Sequence, residues 1–156
     1  MKKYIFFSVA LISAFILMSF YGEPTITCNA KAIKDKAKTF LDPYKYDSAE
    51  LTRVMYKNKE VFKETEVALF IGEKYKLAFN TEALPKKIDI SIYDKDLDSR
   101  KRTLLFSNKD IPFETKQFTY EPKDRTRHLY VDYTIPKADS SAASGCVVFM
   151  VGFQIK

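Results

Sequence analysis

Hydrophobic and polar positions follow three different rhythms along this chain. From Tyr4 to Tyr21 there is no charged residue, and an apolar run from Ile5 to Ile12 continues through Phe15-Ile16-Leu17-Met18. Between residues 31 and 50, Ile33, Ala37, Phe40 and Leu41 recur at helical spacing with Lys34, Asp35, Lys36 and Lys38 between them. Asp42-Pro43 should end that helix, because the residue before proline avoids the α region. The result is a short amphipathic helix capping the domain, or a tether if too few apolar residues hold it. Tyr44 and Tyr46 are placed to dock on the core.

From Leu51 onward the period becomes two, the repeat of a half-buried strand. Val67, Leu69 and Ile71 share a face opposite Glu64, Glu66 and Ala68. Gly72-Glu73 then predicts a tight hairpin, since glycine accepts the positive φ such a turn needs. Tyr75, Leu77 and Phe79 point inward from the next strand, and Ile88, Ile90 and Ile92 from the one after. A charged loop, Asp94 to Arg102, precedes short strands over 103–106 and 117–121. Leu129, Val131, Tyr133 and Ile135 alternate in the segment beginning at His128. After a small-residue loop over 138–145, the segment from Cys146 to Ile155 is apolar on both faces in its first half and predicts a central strand. About eight short strands joined by short polar connections predict an all-β antiparallel sandwich, jelly-roll-like, with a short N-terminal helix. Such connections leave no room for crossover helices.

The first rhythm changes where the domain begins. Lys2 and Lys3 ahead of the apolar run make a secretory signal peptide. Cys28-Asn29-Ala30 offers small residues for cleavage after Ala30, and Ala30-Lys31-Ala32 offers a second position after Ala32. An uncleaved anchor and a lipoprotein acylated on Cys28 are the alternatives, and only those two would put the protein on a membrane. The expected organisation is therefore a signal peptide over 1–30, a helix and linker over 31–50, and a β-sandwich over 51–156. The expected location is periplasmic or secreted.

Composition then narrows the chemistry. The chain has 156 residues, 46% hydrophobic and 29% charged, which excludes wholesale disorder. With only 2 Cys, and Cys28 leaving with the signal, Cys146 stands alone and no internal disulfide is expected. The formal charge is +6, with local clusters at Lys34-Lys36-Lys38, Arg100-Lys101-Arg102 and Lys123-Arg125-Arg127. Export argues against nucleic acid as a partner, leaving anionic surface polysaccharide, lipid headgroups or an acidic partner as targets of these clusters, and an envelope protein or an anionic glycan as the expected partner.

Catalytic constellations do not assemble on paper. Asp94-Lys95-Asp96-Leu97-Asp98 begins like a calcium loop, but Ser99 stands where an EF-hand needs Gly and Leu105 where it needs Glu. The expected state is a solvated hairpin loop whose acids and bases neutralise each other. His128, Cys146 and Asp132 can be drawn as a thiol triad, yet nothing in the spacing orients a base to the sulfur. One His and one Cys cannot complete a zinc site. Glu64, Glu66, Glu114 and Glu121 could pair for glycoside hydrolysis only across a cleft. There is no glycine-rich phosphate loop and no cofactor motif. Tyr93 and Tyr130, on outward faces beside charge, are the aromatic candidates for ligand binding, with Arg127 at the end of the last basic cluster.

The segments Gly72-Glu73-Lys74-Tyr75-Lys76-Leu77 and Leu84 to Asp94, followed by Phe118-Thr119-Tyr120-Glu121-Pro122 and Leu129-Tyr130-Val131, resemble the strands of bacterial pre-peptidase C-terminal domains. The likeness spans roughly 61–155 and would suit a stand-alone exported protein of a Gram-negative bacterium. It implies a small secreted β-sandwich acting as a binding or accessory module. The sequence carries no peptidase, and the family's acidic strand motif is reduced to Asp89-Ile90-Ser91-Ile92, so no calcium or substrate site is carried over. The expected function is a non-enzymatic exported binding or accessory module of the cell envelope. A small exported hydrolase and a structural subunit assembling by strand pairing are its competitors.

Overall fold

The computed structural model describes residues 28–123, 126–138 and 144–155. The segment before Cys28, read from the sequence as a signal peptide, and most of the small-residue loop after Ala138 lie outside the described residues. One helix, α1 (Ala30–Lys38), precedes eight strands: β1 (Lys45–Met55), β2 (Val61–Ala68), β3 (Glu73–Asn80), β4 (Asp89–Tyr93), β5 (Leu104–Ser107), β6 (Gln117–Tyr120), β7 (His128–Ile135) and β8 (Ser144–Ile155). They form two four-stranded sheets, β1-β8-β3-β6 and β2-β7-β4-β5, with all pairings antiparallel. Consecutive strands mostly alternate between the sheets, as in a jelly roll. The alternating positions do what their period requires. Leu77, Phe79, Ile90, Ile92, Val131, Tyr133, Val147 and Phe149 meet between the sheets. Phe79, Phe118 and Phe106 stack in series, with ring centroids 5.2 and 5.8 Å apart.

β8 is central and buried on both faces, for two reasons. Val147, Phe149 and Val151 face the inter-sheet core, while Cys146, Val148 and Met150 face α1. The helix lays Ile33 and Ala37, with Leu41 just beyond its end, against these residues and Ala78. Phe40, grouped with them by its spacing, is exposed instead. The side chain of Asn29 caps α1 by accepting from the Ala32 N–H at 3.2 Å. β1 begins at Lys45, within the segment read as helix and linker, and slips register between Tyr46 and Ser48.

Three expectations are corrected. Gly72 has the positive φ predicted for it, 104°, but its turn is not a hairpin. β2 pairs with β7 and β3 with β8, so the connection arches from one sheet to the other. Ile71, expected inward, lies beyond the end of β2 and is exposed. The third concerns sulfur. Cys28 and Cys146 form a disulfide with Cα atoms 5.8 Å apart, so Cys146 is not a lone thiol. Cys28 belongs to the folded unit, and a sulfur held in a disulfide is not free to carry a lipid.

Candidate functional site

The outer face of the β2-β7-β4-β5 sheet collects most of the polar residues singled out by the sequence. Alternation turns Glu64 and Glu66 of β2 outward, with Asp132, Tyr130 and His128 of β7 and Ser91 and Tyr93 of β4. Register then sets them in rows. Glu64 pairs with Asp132 and Asp132 with Ser91, while Glu66 pairs with Tyr130 and Tyr130 with Tyr93. Tyr93 and Tyr130, picked separately from the sequence, are thus cross-strand neighbours. Arg127 is exposed just before β7, where its carbonyl accepts from the Leu69 N–H at 2.7 Å.

The loop from Asp94 to Arg102 is not the self-neutralising solvated loop expected. Arg102 folds back onto the sheet. Its Nη1 donates to Asp132 Oδ2 at 2.9 Å, and its Nη2 to Glu64 Oε2 at 2.9 Å and Asp132 Oδ1 at 3.2 Å. Its Nε donates to the Lys95 carbonyl at 3.0 Å, and its guanidinium carbon lies 3.9 Å from the centre of the Tyr93 ring. The side chains of Arg102 and Asp132 are 13% and 5% exposed, so this is a largely desolvated pair. Asp94 accepts from the Thr103 N–H at 2.6 Å, which holds its carboxyl below the usual range, and Asp96 accepts from the Ser99 hydroxyl at 2.8 Å. The carboxylates expected to offset the loop's own cations are tied up locally, and Arg102 serves the sheet.

Burial, and then the hydrogen bond with Asp132, raise the Glu64 carboxyl above its ordinary range despite Arg102. The Arg102 guanidinium is held charged by Asp132 and Glu64, which outweigh its burial. Desolvation, followed by the negative charges of Glu66, Asp96 and Glu64, raises the Tyr130 phenol. Glu66 also sits 2.7 Å from His128 Nδ1, both side chains being about half exposed. Glu64, Glu66, Asp132 and, at the start of β4, Asp89 therefore share this face with the Arg102 guanidinium. Since Arg102 covers one side of Tyr93, Tyr130 is the ring left to engage a partner. Beside this face an open groove of about 530 Å³ runs between the edges of β1 and β2, past Glu50 and Glu64. Lys63 and Thr65 tie its walls, donating to the Arg53 carbonyl at 2.6 Å and to Glu50 Oε1 at 2.9 Å.

The thiol triad does not assemble. Cys146 is buried under α1 on the other sheet, while His128 and Asp132 lie on this one. Glu121 accepts from the Tyr44 hydroxyl at 3.1 Å and pairs with Lys76, away from Glu64 and Glu66. Among the described residues no group of three or more His, Cys, Asp or Glu side chains is placed to hold a metal ion. Arg102 and Asp132 as a binding-face pair were missed. Asp132 stood in plain alternation with Tyr130, but nothing in Arg100-Lys101-Arg102 marks which cation turns inward.

The fold defines a small disulfide-linked jelly-roll sandwich with one acidic, tyrosine-bearing face. No family model matches the chain and no curated protein matches it, so the pre-peptidase C-terminal family is not shown. Among solved structures the fold is similar to that of PliG from Aeromonas hydrophila, described as a periplasmic lysozyme inhibitor of g-type lysozyme. The two share 7% identity over 68% of this chain and 86% of that chain, with a TM-score of 0.41, a likeness that brings no activity across.

Proposed function

We propose that this is an exported, non-enzymatic binding module of the cell envelope whose outer β2-β7-β4-β5 face docks a basic protein surface. The observation that supports it is the grouping of Glu64, Glu66 and Asp132 around Tyr130, with Arg102 on two of these carboxylates and the His128 ring against the third. Carboxylates and a phenol accept hydrogen bonds from Lys and Arg, and a partly buried Tyr supplies contact area with a polar tip. The same carboxylates repel an anionic glycan, so of the two partners inferred from sequence the protein is favoured here. The disulfide suits an oxidising compartment. Export with cleavage upstream of Cys28 keeps both half-cystines and the Asn29 cap.

The test starts from co-purification of the native exported protein and identification of what comes with it. Affinity for that partner should fall roughly tenfold or more in Tyr130→Ala and in Glu66→Gln, and should weaken with salt. Undiminished affinity in both variants, or an anionic glycan bound at Tyr130, would sink the reading.

A further inference from the structure

The arch between β2 and β3 carries the most exposed large apolar side chain among the described residues. Phe70 is 76% exposed and Ile71 beside it 55%. Ile155, 69% exposed, joins them at this end of the sandwich, since its backbone pairs with Glu73 at the start of β3. An isolated exposed apolar residue needs no explanation, but adjacent ones on a built turn do.

The turn is braced from below. The Phe70 N–H donates to the Tyr75 hydroxyl at 3.1 Å, and that hydroxyl donates to Glu73 Oε2 at 2.6 Å. Tyr75 is buried, so the brace is anchored in the core. The Leu69 N–H is held by the Arg127 carbonyl, and Gly72 supplies the left-handed residue that closes the turn. The apolar side chains are therefore displayed on a preorganised tip rather than left over on a loose one, which lowers the ordering cost of binding.

Three exposed cations, Lys45, Lys74 and Arg127, belong to this end. Against them stand Glu73, engaged with Tyr75, and Asp47, close to the same hydroxyl. A short apolar tip with a cationic surround matches a bilayer interface, where apolar groups enter the headgroup boundary and cations meet anionic lipid. Three side chains also fall well short of the roughly 800 Å² per partner that a stable protein interface buries. We propose that Phe70, Ile71 and Ile155 seat the protein on the surface of an anionic phospholipid bilayer. The tip adjoins the Tyr130 face and shares Arg127 with its margin, but Phe70, Ile71 and Ile155 lie outside that face, so the Phe70 and Ile71 variants test this reading apart from the Tyr130 and Glu66 variants.

The exported protein is mixed with vesicles of phosphatidylglycerol and phosphatidylethanolamine, and with vesicles of phosphatidylcholine alone. Sedimentation should show binding to the anionic vesicles, weakened by salt. The double substitution Phe70→Ser with Ile71→Ser should reduce partitioning roughly tenfold without moving the melting temperature. Lys74→Glu with Arg127→Glu should also reduce it. The chain has 0 Trp, so Phe70→Trp gives a single reporter whose emission should shift to the blue on anionic vesicles, while Met55→Trp should not. Several results overturn the proposal: no vesicle binding, equal binding to phosphatidylcholine, or self-association through Phe70 in place of vesicle binding. Full binding by the double variant would do so too, because it would assign attachment to another segment such as the apolar N-terminal run.

Discussion

Cys28 and Cys146 are bonded to each other across 118 residues of chain, tying the start of α1 to the start of the central strand β8. The bond sits under the α1 layer with Ile33, Ala37, Val148 and Met150. It therefore fastens a nine-residue helix that buries only two of its own side chains, Ile33 and Ala37. Closing so long a loop restricts the unfolded chain, an effect that in small proteins usually stabilises by about 2–4 kcal/mol.

The first prediction is that the exported protein has no titratable thiol until it is reduced, and that its N-terminus lies at or before Cys28. Cys28→Ala with Cys146→Ala should lose about 2–4 kcal/mol in urea unfolding. A thiol assay that finds free Cys146 in the native protein, or a mature chain beginning at Lys31, would refute the pairing.

Arg102 supports the second prediction. Arg102→Ala leaves Asp132, 5% exposed, without its charge partner, at a cost of about 3 kcal/mol. Arg102→Lys should recover only part of this, since an ammonium cannot span two oxygens of Asp132 and one of Glu64 in the same planar fork. Replacing Asp132 with Leu alongside Arg102→Met should cost less than Arg102→Ala alone, because no buried charge is then stranded. A loss below ~0.5 kcal/mol for Arg102→Ala in denaturant unfolding would show that the cluster is an ordinary surface pair.

The third prediction rests on how closely the backbones approach beside the disulfide. A Cβ on Gly145 would run into the carbonyl oxygen of Ala83 and meet Pro85 Cδ at 3.0 Å. Because the Cys146 N–H donates to that same carbonyl at 3.2 Å, the segment cannot shift without losing a hydrogen bond. Gly145→Ala should therefore destabilise by about 1–3 kcal/mol, whereas surface changes usually stay within ~0.5 kcal/mol. A melting temperature unchanged by the substitution would count against this packing.

These residues also show which features the sequence made legible. Alternation identified the strands because a face that is buried must repeat every second residue, as Leu129, Val131, Tyr133 and Ile135 do. Pairing was harder to read. A glycine turn closes a hairpin and an arch between sheets with the same positive φ, so Gly72 could not reveal that β2 and β3 part company. Cys28 was assigned to the signal because its small neighbours fit a cleavage site, and nothing local announces a partner 118 residues away. Tyr93 and Tyr130 were found by alternation beside charge. Arg102 was hidden in a run of three cations, and the burial of Asp132 follows from Arg102 rather than from its own neighbours. Asn108 escaped notice altogether, although its side chain accepts from the Ile90 N–H at 2.8 Å and donates to the Ile88 carbonyl at 3.1 Å.

The last prediction concerns two tyrosines in the core. Burial pushes the Tyr56 phenol up to about 12 and raises Tyr133 further still. Both are fully buried, so each is held neutral in the folded chain but ionises near its ordinary value of 10.0 once unfolded. Below pH 10 the two states bind these protons equally and stability does not depend on them. Above it the unfolded state gives up its protons first, so stability falls as pH rises, and the Tyr56 contribution is spent by about pH 12. The loss from Tyr56 alone is roughly 2–3 kcal/mol. Absorbance of phenolate should then rise cooperatively with unfolding. Tyr133 adds an independent check, because its hydroxyl, close to Thr52, makes no hydrogen bond of normal geometry among the described residues. Tyr133→Phe removes a buried polar group that gains little in return, and should stabilise the protein by up to ~1 kcal/mol at neutral pH. It should also flatten the alkaline decline. A destabilisation above ~1 kcal/mol would instead mean that the hydroxyl has a bonded partner in solution.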